Sequence, residues 1–330
     1  MPATNLAIST NIIWKVVEAR GGDPASLFRE AGLDPQLSLD PNARIPANQI
    51  EQLTLKAIDV LGDPCVGLHV VPHWHPSHLG ALGYAWLASS SLRTALQRLE
   101  RFLKLVTAIM TLTLEQRSEG LAVNFAAKSA FRSLPQRDDF FAGLVLRMCR
   151  LNWGESLAPV RVTFEHERYP CCDAYGEYFR CPIEFSAAAN TIVFASEAVD
   201  RPLASGNPQL AQIHDQIIVR YIATLDRNDI AQRTKGAILD RLQTGNVVDD
   251  DVAQGLHVSV RTLQRKLSDA GTSFRELVDE TRREVAEAYI RDHSVSLSEL
   301  AFMLGFSDAS AFSRAFKRWT GKTPGEARAA

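Results

Sequence analysis

A chain of 330 residues is long for one hydrophobic core, so two domains are the default organisation. With 46% hydrophobic and 22% charged residues, the composition excludes a disordered chain and describes an ordinary globular one. A formal net charge of −2 excludes a polycation, so any grip on nucleic acid must come from local positive charge.

In chain order, the opening "MPATNLAISTNIIWKVVEARGG" places Asn, Thr and Glu where a secretory signal needs an apolar core. The most apolar stretch, "LGALGYAWLASSSL", is broken by Gly and Ser well short of a membrane span. A soluble, cytoplasmic protein with no membrane partner is the expectation. Cysteines at 65, 149, 171, 172 and 181 form no CxxC pair and read as reduced, mostly buried thiols. Breaks such as "GGDP", "GLDP" and "LGDP" divide the first helical patterns. "HVVPHWHPSH" gathers His69, His73, His75 and His78, a density that suits Zn²⁺ or Ni²⁺. The prolines point instead to a loop, and no carboxylate or thiolate completes a ligand set, so no metal is expected.

Further on, "SSSLRTALQRLERFLKLV" sets Leu92, Ala95, Leu96, Leu99, Phe102 and Leu103 on one helical face, with Ser91 at the N-cap. "AIMTLTLEQ" and "LAVNFAA" flank "RSEG" and predict a β-hairpin closed at Gly120. "DDFFAGLVLRMCRLNW" returns to helix. "VRVTFEHE" alternates Val160, Val162, Phe164 and His166 as a half-buried strand, with His166 a hydrogen-bonded structural residue and not a catalyst. "IEFS" and "TIVFAS" read as short strands. Residues 1–205 therefore predict one α+β domain.

"DRPLASGNPQL" marks a boundary, and Asn207-Pro208 opens a linker helix within residues 206–229. Its Leu210, Ile213, Ile217, Tyr221 and Leu225 recur near a 3.5-residue spacing. That stripe fits either a homodimer seam or a helix lying on its own domain. From there to residue 330 the patterns are all helical.

Within that region, "DDVAQGLHVSVRTLQRKLSDAGTSF" offers a short helix, a turn, and a second helix capped by Ser259. Val260, Leu263 and Leu267 face inward, while Arg261, Gln264 and Arg265 face outward, residue types suited to base edges. "FRELVDETRREVAEAYIRD" continues as a connecting helix. "SVSLSELAFMLGFSDASAFSRAFKRWTGKTP" then repeats the arrangement, with a Ser296/Glu299 capping box, a Gly305 turn and a two-faced helix. Phe312, Ala315, Phe316 and Trp319 form its core face. Ser310, Ser313, Arg314 and Lys317 form the opposite one. Gly321 and Pro324 end it. Charge alone decides nothing here, since from residue 252 onward twelve Lys/Arg meet ten Asp/Glu.

At these residues the sequence resembles the AraC/XylS family of bacterial transcription regulators, over about 230–328. "LAFMLGFSDASAFSRAFKRWTGKTP" follows that family's C-terminal signature almost position by position. The resemblance implies contact helices at 259–268 and 308–319 and double-stranded promoter DNA as partner. The candidate DNA-binding residues are Ser259, Arg261, Thr262, Gln264, Arg265, Ser310, Ser313, Arg314 and Lys317. One departure is His257, where the family usually has Gly. Residues 15–205, through "HLGALGYAWLASSSLRTALQRLERFLKL" and "VTFEHERYPCCDAYGEYFRCPIEFSAAANTIVFASEAVDRPL", resemble the family's arabinose-binding/dimerisation class of N-terminal domain.

The resemblance implies an α+β sensor of an unidentified small-molecule effector, joined to an all-α domain with two helix-turn-helix units on a linker helix. It further implies an activator that works with RNA polymerase. In the alternative reading, the N-terminal domain only dimerises or binds a protein partner. No GxSxG, P-loop or HExxH occurs, and no cofactor or enzymatic activity is expected.

Overall fold

The chain divides at Asn207, where Pro, Gly and Asn interrupt the pattern, into units spanning residues 1–207 and 208–330. The computed structural model describes residues 3–40, 43–131, 133–168, 172–225, 230–242, 247–290 and 295–329.

In the first unit a two-stranded antiparallel ribbon, β1 (Thr4–Leu6) and β2 (Arg44–Pro46), holds helices α1 (Asn11–Ala19), α2 (Pro24–Glu30) and α3 (Ala47–Leu61) together. Arg44 staples the ribbon, donating to the Thr4 and Leu105 carbonyls at 2.7 Å each. Short helices α4 (Val66–His69) and α5 (Ala81–Leu87) precede α6 (Leu92–Val106). The Ser91 hydroxyl accepts the Thr94 N–H at 3.2 Å as the expected cap, and α6 buries the predicted face from Leu92 to Leu103. Strands β3 (Met110–Arg117) and β4 (Gly120–Ala127) form the hairpin, with Gly120 at φ 144°. After α7 (Pro135–Trp153) come β5 (Arg161–Thr163), α8 (Cys172–Phe179), β6 (Ile183–Glu184), β7 (Asn190–Phe194) and α9 (Ser196–Asp200). The sheet order is β3-β4-β7-β5-β6, antiparallel except for β5 with β6. Every residue of β7 is buried, which is why "NTIVF" shows no alternation. Gly67 in α4 sits so close to α7 that a Cβ would meet the Gln136 carbonyl at 2.2 Å.

Two expectations change here. The strand read across 160–167 shrinks to β5, and Val160 is exposed. The Asn190 side chain takes the Glu165 N–H at 2.9 Å, ending the ladder before His166. Cys149 and Cys181 are free thiols, but Cys65 is disulfide-bonded, contrary to the all-reduced reading. Burial pushes the Cys181 thiol up to about 11, far from a reactive thiolate.

His166 serves the core. Its Nε2 bonds the buried Asp139 carboxylate at 3.0 Å, Nδ1 bonds the Glu167 carbonyl at 2.8 Å, and Tyr175 donates to the same Asp139 at 2.7 Å. Burial is the largest influence and opposes its charge, yet the bonds to Asp139 and the Glu167 carbonyl, with the nearby Asp139 and Asp138 charges, together raise the imidazole pKa.

All regular structure among the described residues of the second unit is helical: α10 (Pro208–Leu225), α11 (Ile230–Leu239), α12 (Asp249–Gly255), α13 (Val260–Asp269), α14 (Phe274–Tyr289), α15 (Leu297–Met303), α16 (Ala309–Thr320) and α17 (Pro324–Ala329). The stripe on α10 splits from its neighbours. Ala211, Asp215 and Ile218 are buried, with Tyr289 of α14 donating to Asp215 at 2.5 Å. Leu210, Ile213 and Ile217 stay exposed. Helix α14 carries two separate cores. Leu277 and Val278 join one with Val252, Leu263 and Leu267, while Ala286, Tyr289 and Ile290 join the other with Leu300, Phe312 and Phe316.

Candidate nucleic-acid interface

Each half of the second unit is a helix, a left-handed turn and a helix. In the first, α12 closes through His257 N–H to the Gln254 carbonyl and Val258 N–H to the Ala253 carbonyl, both 3.0 Å. That closure needs a positive φ, and His257 supplies it at 57°. In the second, Gly305 N–H reaches the Phe302 carbonyl at 2.9 Å and Phe306 N–H the Ala301 carbonyl at 3.0 Å, with Gly305 at φ 71°. The two turns match bond for bond, so His257 holds the place of the glycine.

Behind the first turn, Ser259 caps α13 by accepting the Thr262 N–H at 3.2 Å, and the two hydroxyls lie 2.8 Å apart. Leu263 and Leu267 are buried completely. A 3.6-residue repeat therefore turns 261, 264 and 265 outward together. Arg261 and Arg265 are exposed and make no side-chain hydrogen bond or ion pair among the described residues. Gln264 is engaged: its Nε2 donates to Asp249 Oδ2, in the first turn of α12, at 2.9 Å. The amide retains its oxygen and a second N–H, the pair an adenine edge requires. Sequence reading missed Asp249, whose only signal is an acidic run at a helix start.

Behind the second turn, the Ser296/Glu299 capping box forms with bonds of 2.8 and 3.1 Å. Asp308 caps α16 by accepting the Ala311 N–H at 2.8 Å. That backbone bond holds the Asp308 carboxyl below the usual range, and the Ser296 N–H does the same for Glu299. Phe312 and Phe316 are buried and stack edge to face at 5.6 Å. Trp319, expected inside with them, is only half-buried, and its ring lies 6.0 Å from Phe306. It sits on the last turn of α16, where the core has already thinned. Ser310, Arg314 and Lys317 are exposed, whereas Ser313 is half-buried. Arg282 of α14, also missed in the sequence, donates to the Leu304 carbonyl at 3.0 Å and lies 4.8 Å over the Phe306 ring. It ties the second turn to the connecting helix. Gly321 ends α16 at φ 78° as expected, but Pro324 then starts α17 and does more than stop a helix.

The connecting helix α14 has 16 residues, shorter than the stretch read from sequence and about 24 Å long. Lys235 of α11 binds it through Glu280 and Glu284 at 2.9 and 3.1 Å. Both outward faces combine long cations with short hydroxyls, a set suited to phosphate oxygens and base edges.

The remaining candidates do not gather into a site. His69 Nδ1 pairs with Asp63 at 2.7 Å, and His75 accepts the Ser77 N–H as a helix cap. Among the described residues no three potential ligands cluster as a metal site would require. No helix there is long and apolar enough to cross a membrane.

Comparison with known proteins agrees with both halves. The model "Arabinose-binding domain of AraC transcription regulator" matches residues 21–203, and a helix-turn-helix domain model matches 252–330. The ornithine utilization regulator of Pseudomonas aeruginosa is 32% identical over 96% of this chain and 93% of that protein. The transcriptional regulator VirS of Mycobacterium tuberculosis is 25% identical over 99% and 96%. The crystal structure of the transcriptional regulator CdpR from P. aeruginosa superposes with a TM-score of 0.52 at 24% identity, covering 98% of both chains, and so shares the fold.

Proposed function

Because the chain belongs to the AraC-type family of DNA-binding transcription regulators, we propose that it is a ligand-responsive activator working in the cytoplasm. In this reading residues 1–205 sense a small-molecule effector, 206–229 link and pair subunits, and 230–330 read a promoter. Arg261, Gln264 and Arg265 on α13, with Ser310, Ser313 and Arg314 on α16, address base edges. Ser259, Thr262 and Lys317 grip phosphates near the helix ends. One chain then covers two successive major-groove segments and, as an activator, presents RNA polymerase with a fixed neighbour.

The observation that carries this reading is the pair of matching turns, at His257 and Gly305, on one connecting helix. Pairing of subunits draws support from the exposed Leu210, Ile213 and Ile217 on one side of α10. The relative named for ornithine utilisation makes ornithine a necessary comparison ligand. Selection of bound duplexes from a random pool by the purified full chain tests the core of the proposal. A single two-part sequence logo, and transcription from it that rises on adding protein, is the expected result. A pool that never converges would overturn it, and a logo whose transcription falls would overturn the activator role.

A further inference from the structure

The amino-terminal unit holds a cavity of about 190 Å³, open on one side, between α1, α3, α6 and α7. Its walls are hydrocarbon: Val16, Leu99, Leu103, Phe141 and Leu144 are typical. The polar groups in the wall are mostly spent on the protein itself. Ser9 and Thr10 donate to the Leu6 and Ala7 carbonyls at 2.6 and 2.7 Å, and Thr54 donates to Ile50 at 2.8 Å. Asn5 accepts the Ala108 N–H at 2.9 Å. Arg137 pairs with Glu51 across 3.8 Å, a contact that answers its charge but is too long to be a hydrogen bond. No carboxylate lines the cavity among the described residues.

Beside the half-buried Gln136, whose amide makes no hydrogen bond among the described residues, His78 is the exception in that wall. It is 3% exposed, and its Nδ1 accepts the His75 N–H at 3.3 Å, which fixes the ring proton on Nε2. That Nε2–H has no acceptor among the described residues. Burial, with Lys15 and His75 adding to it, lowers the imidazole to about 4, so the ring is neutral near pH 7. The cavity thus offers the neutral His78 donor, beside the Gln136 amide, in a largely apolar chamber.

We propose that this cavity is the effector site and takes a small apolar molecule, an aromatic ring or short aliphatic chain bearing one carbonyl-type acceptor for His78. The inference rests on the sensor reading above and narrows it. An apolar cavity of about 150 Å³ holds benzene, so this one accommodates roughly eight non-hydrogen atoms. An ammonium group brought inside meets no carboxylate, and a buried unpaired cation is strongly disfavoured. Dibasic amino acids are therefore disfavoured inside it, in contrast to what a relative's name suggests.

The experiment is calorimetric titration of the full chain with acetophenone, ethylbenzene, 1-phenylethylamine and L-ornithine. These probes keep or change the ring, the acceptor and the charge one at a time. Acetophenone is expected to bind, ethylbenzene about tenfold more weakly for want of one hydrogen bond, and the two amines not measurably. His78→Asn keeps an acceptor for the His75 N–H but removes the Nε2 donor. It should erase the advantage of acetophenone over ethylbenzene while leaving ethylbenzene unchanged. Leu103→Trp, which fills the chamber, should abolish binding of both while the protein still melts cooperatively. Ornithine binding as tightly as acetophenone, no binding by any probe, or binding that survives Leu103→Trp would overturn the proposal. DNA affinity measured with and without acetophenone separates the two claims. Binding that leaves DNA affinity and transcription unmoved keeps the ligand class and sinks the sensor role. A response to ornithine that survives Leu103→Trp does the reverse.

Discussion

The two helix-turn-helix units share a backbone and differ in what holds it. The second closes its turn with Gly305, packs Phe306, Phe312 and Phe316 against one another, caps both helices with side chains and is pinned by Arg282. The first closes the same turn with His257, relies on Leu263 and Leu267, and starts α12 from Val248 with no side-chain cap. Its outward face is also pre-engaged, through Gln264 on Asp249. Identical geometry can therefore carry unequal stability, and the second unit is the firmer platform. In the first unit, part of the local interaction energy goes into orienting the exposed Gln264 side chain.

The largest expected effect sharpens this contrast directly. Phe316→Ala should cost ~3–5 kcal/mol and abolish DNA binding through unfolding, as truncation of a core aromatic does. Leu263→Ala in the first unit should cost less, ~2–4 kcal/mol, with Phe316 and its neighbours still protected from hydrogen exchange. Denaturant unfolding and exchange of both variants measure it. Equal, global loss in both would make the two units one cooperative block.

Next comes reading against gripping. Arg265→Ala should cost ~1–3 kcal/mol of binding and relax preference at one base pair. Lys317→Ala should weaken binding to all sequences alike and shrink the salt slope by about one. Titrations against selected and scrambled duplexes at several salt concentrations distinguish them. Equal loss on both duplexes for Arg265→Ala would make it a phosphate contact.

Much of this was legible from local signals. The Ser91 cap and its apolar face, the Gly120 hairpin and both helix-turn-helix units each reside in one short run of consecutive residues, where spacing alone carries the physics. What escaped depends on distant partners. β1 and β2 are three residues each, too short to alternate, and they pair across forty positions. The Asp249–Gln264 bond, the Arg282 tether and the Cys65 disulfide leave no trace in periodicity. Trp319 fell on the apolar face by spacing, but spacing does not reveal where a core ends. The cavity draws on four helices and has no local signature at all.

Smaller still is the turn itself. His257→Gly should stabilise the first unit by ~0.5–1 kcal/mol by relieving a side chain held in left-handed backbone, and Gly305→His should destabilise the second by a similar amount. Thermal melts check the opposite signs. A loss of stability in His257→Gly would show that the His257 ring makes a contact worth more than the strain.

The least effect is in acid. Glu299 and Asp308, which cap the second unit, have lowered pKa values, whereas Ser259 of the first does not titrate in this range. A carboxylate with a lowered folded pKa contributes stability above its unfolded value and loses it as pH falls through the folded one. Below about pH 4 the ends of α15 and α16 should therefore fray before that of α13. Amide exchange followed from pH 6 to pH 3 reads this order, and simultaneous fraying would contradict it.

In the proposed complex, α13 and α16 each enter the major groove from opposite ends of α14. Methylation-interference footprinting of the selected duplex tests it most directly, with wild type, Arg265→Ala and Arg314→Ala side by side. Two major-groove segments about one helical turn apart on the same face of the duplex are expected, one weakened by each substitution. A single protected segment, indifferent to Arg265→Ala, would contradict it.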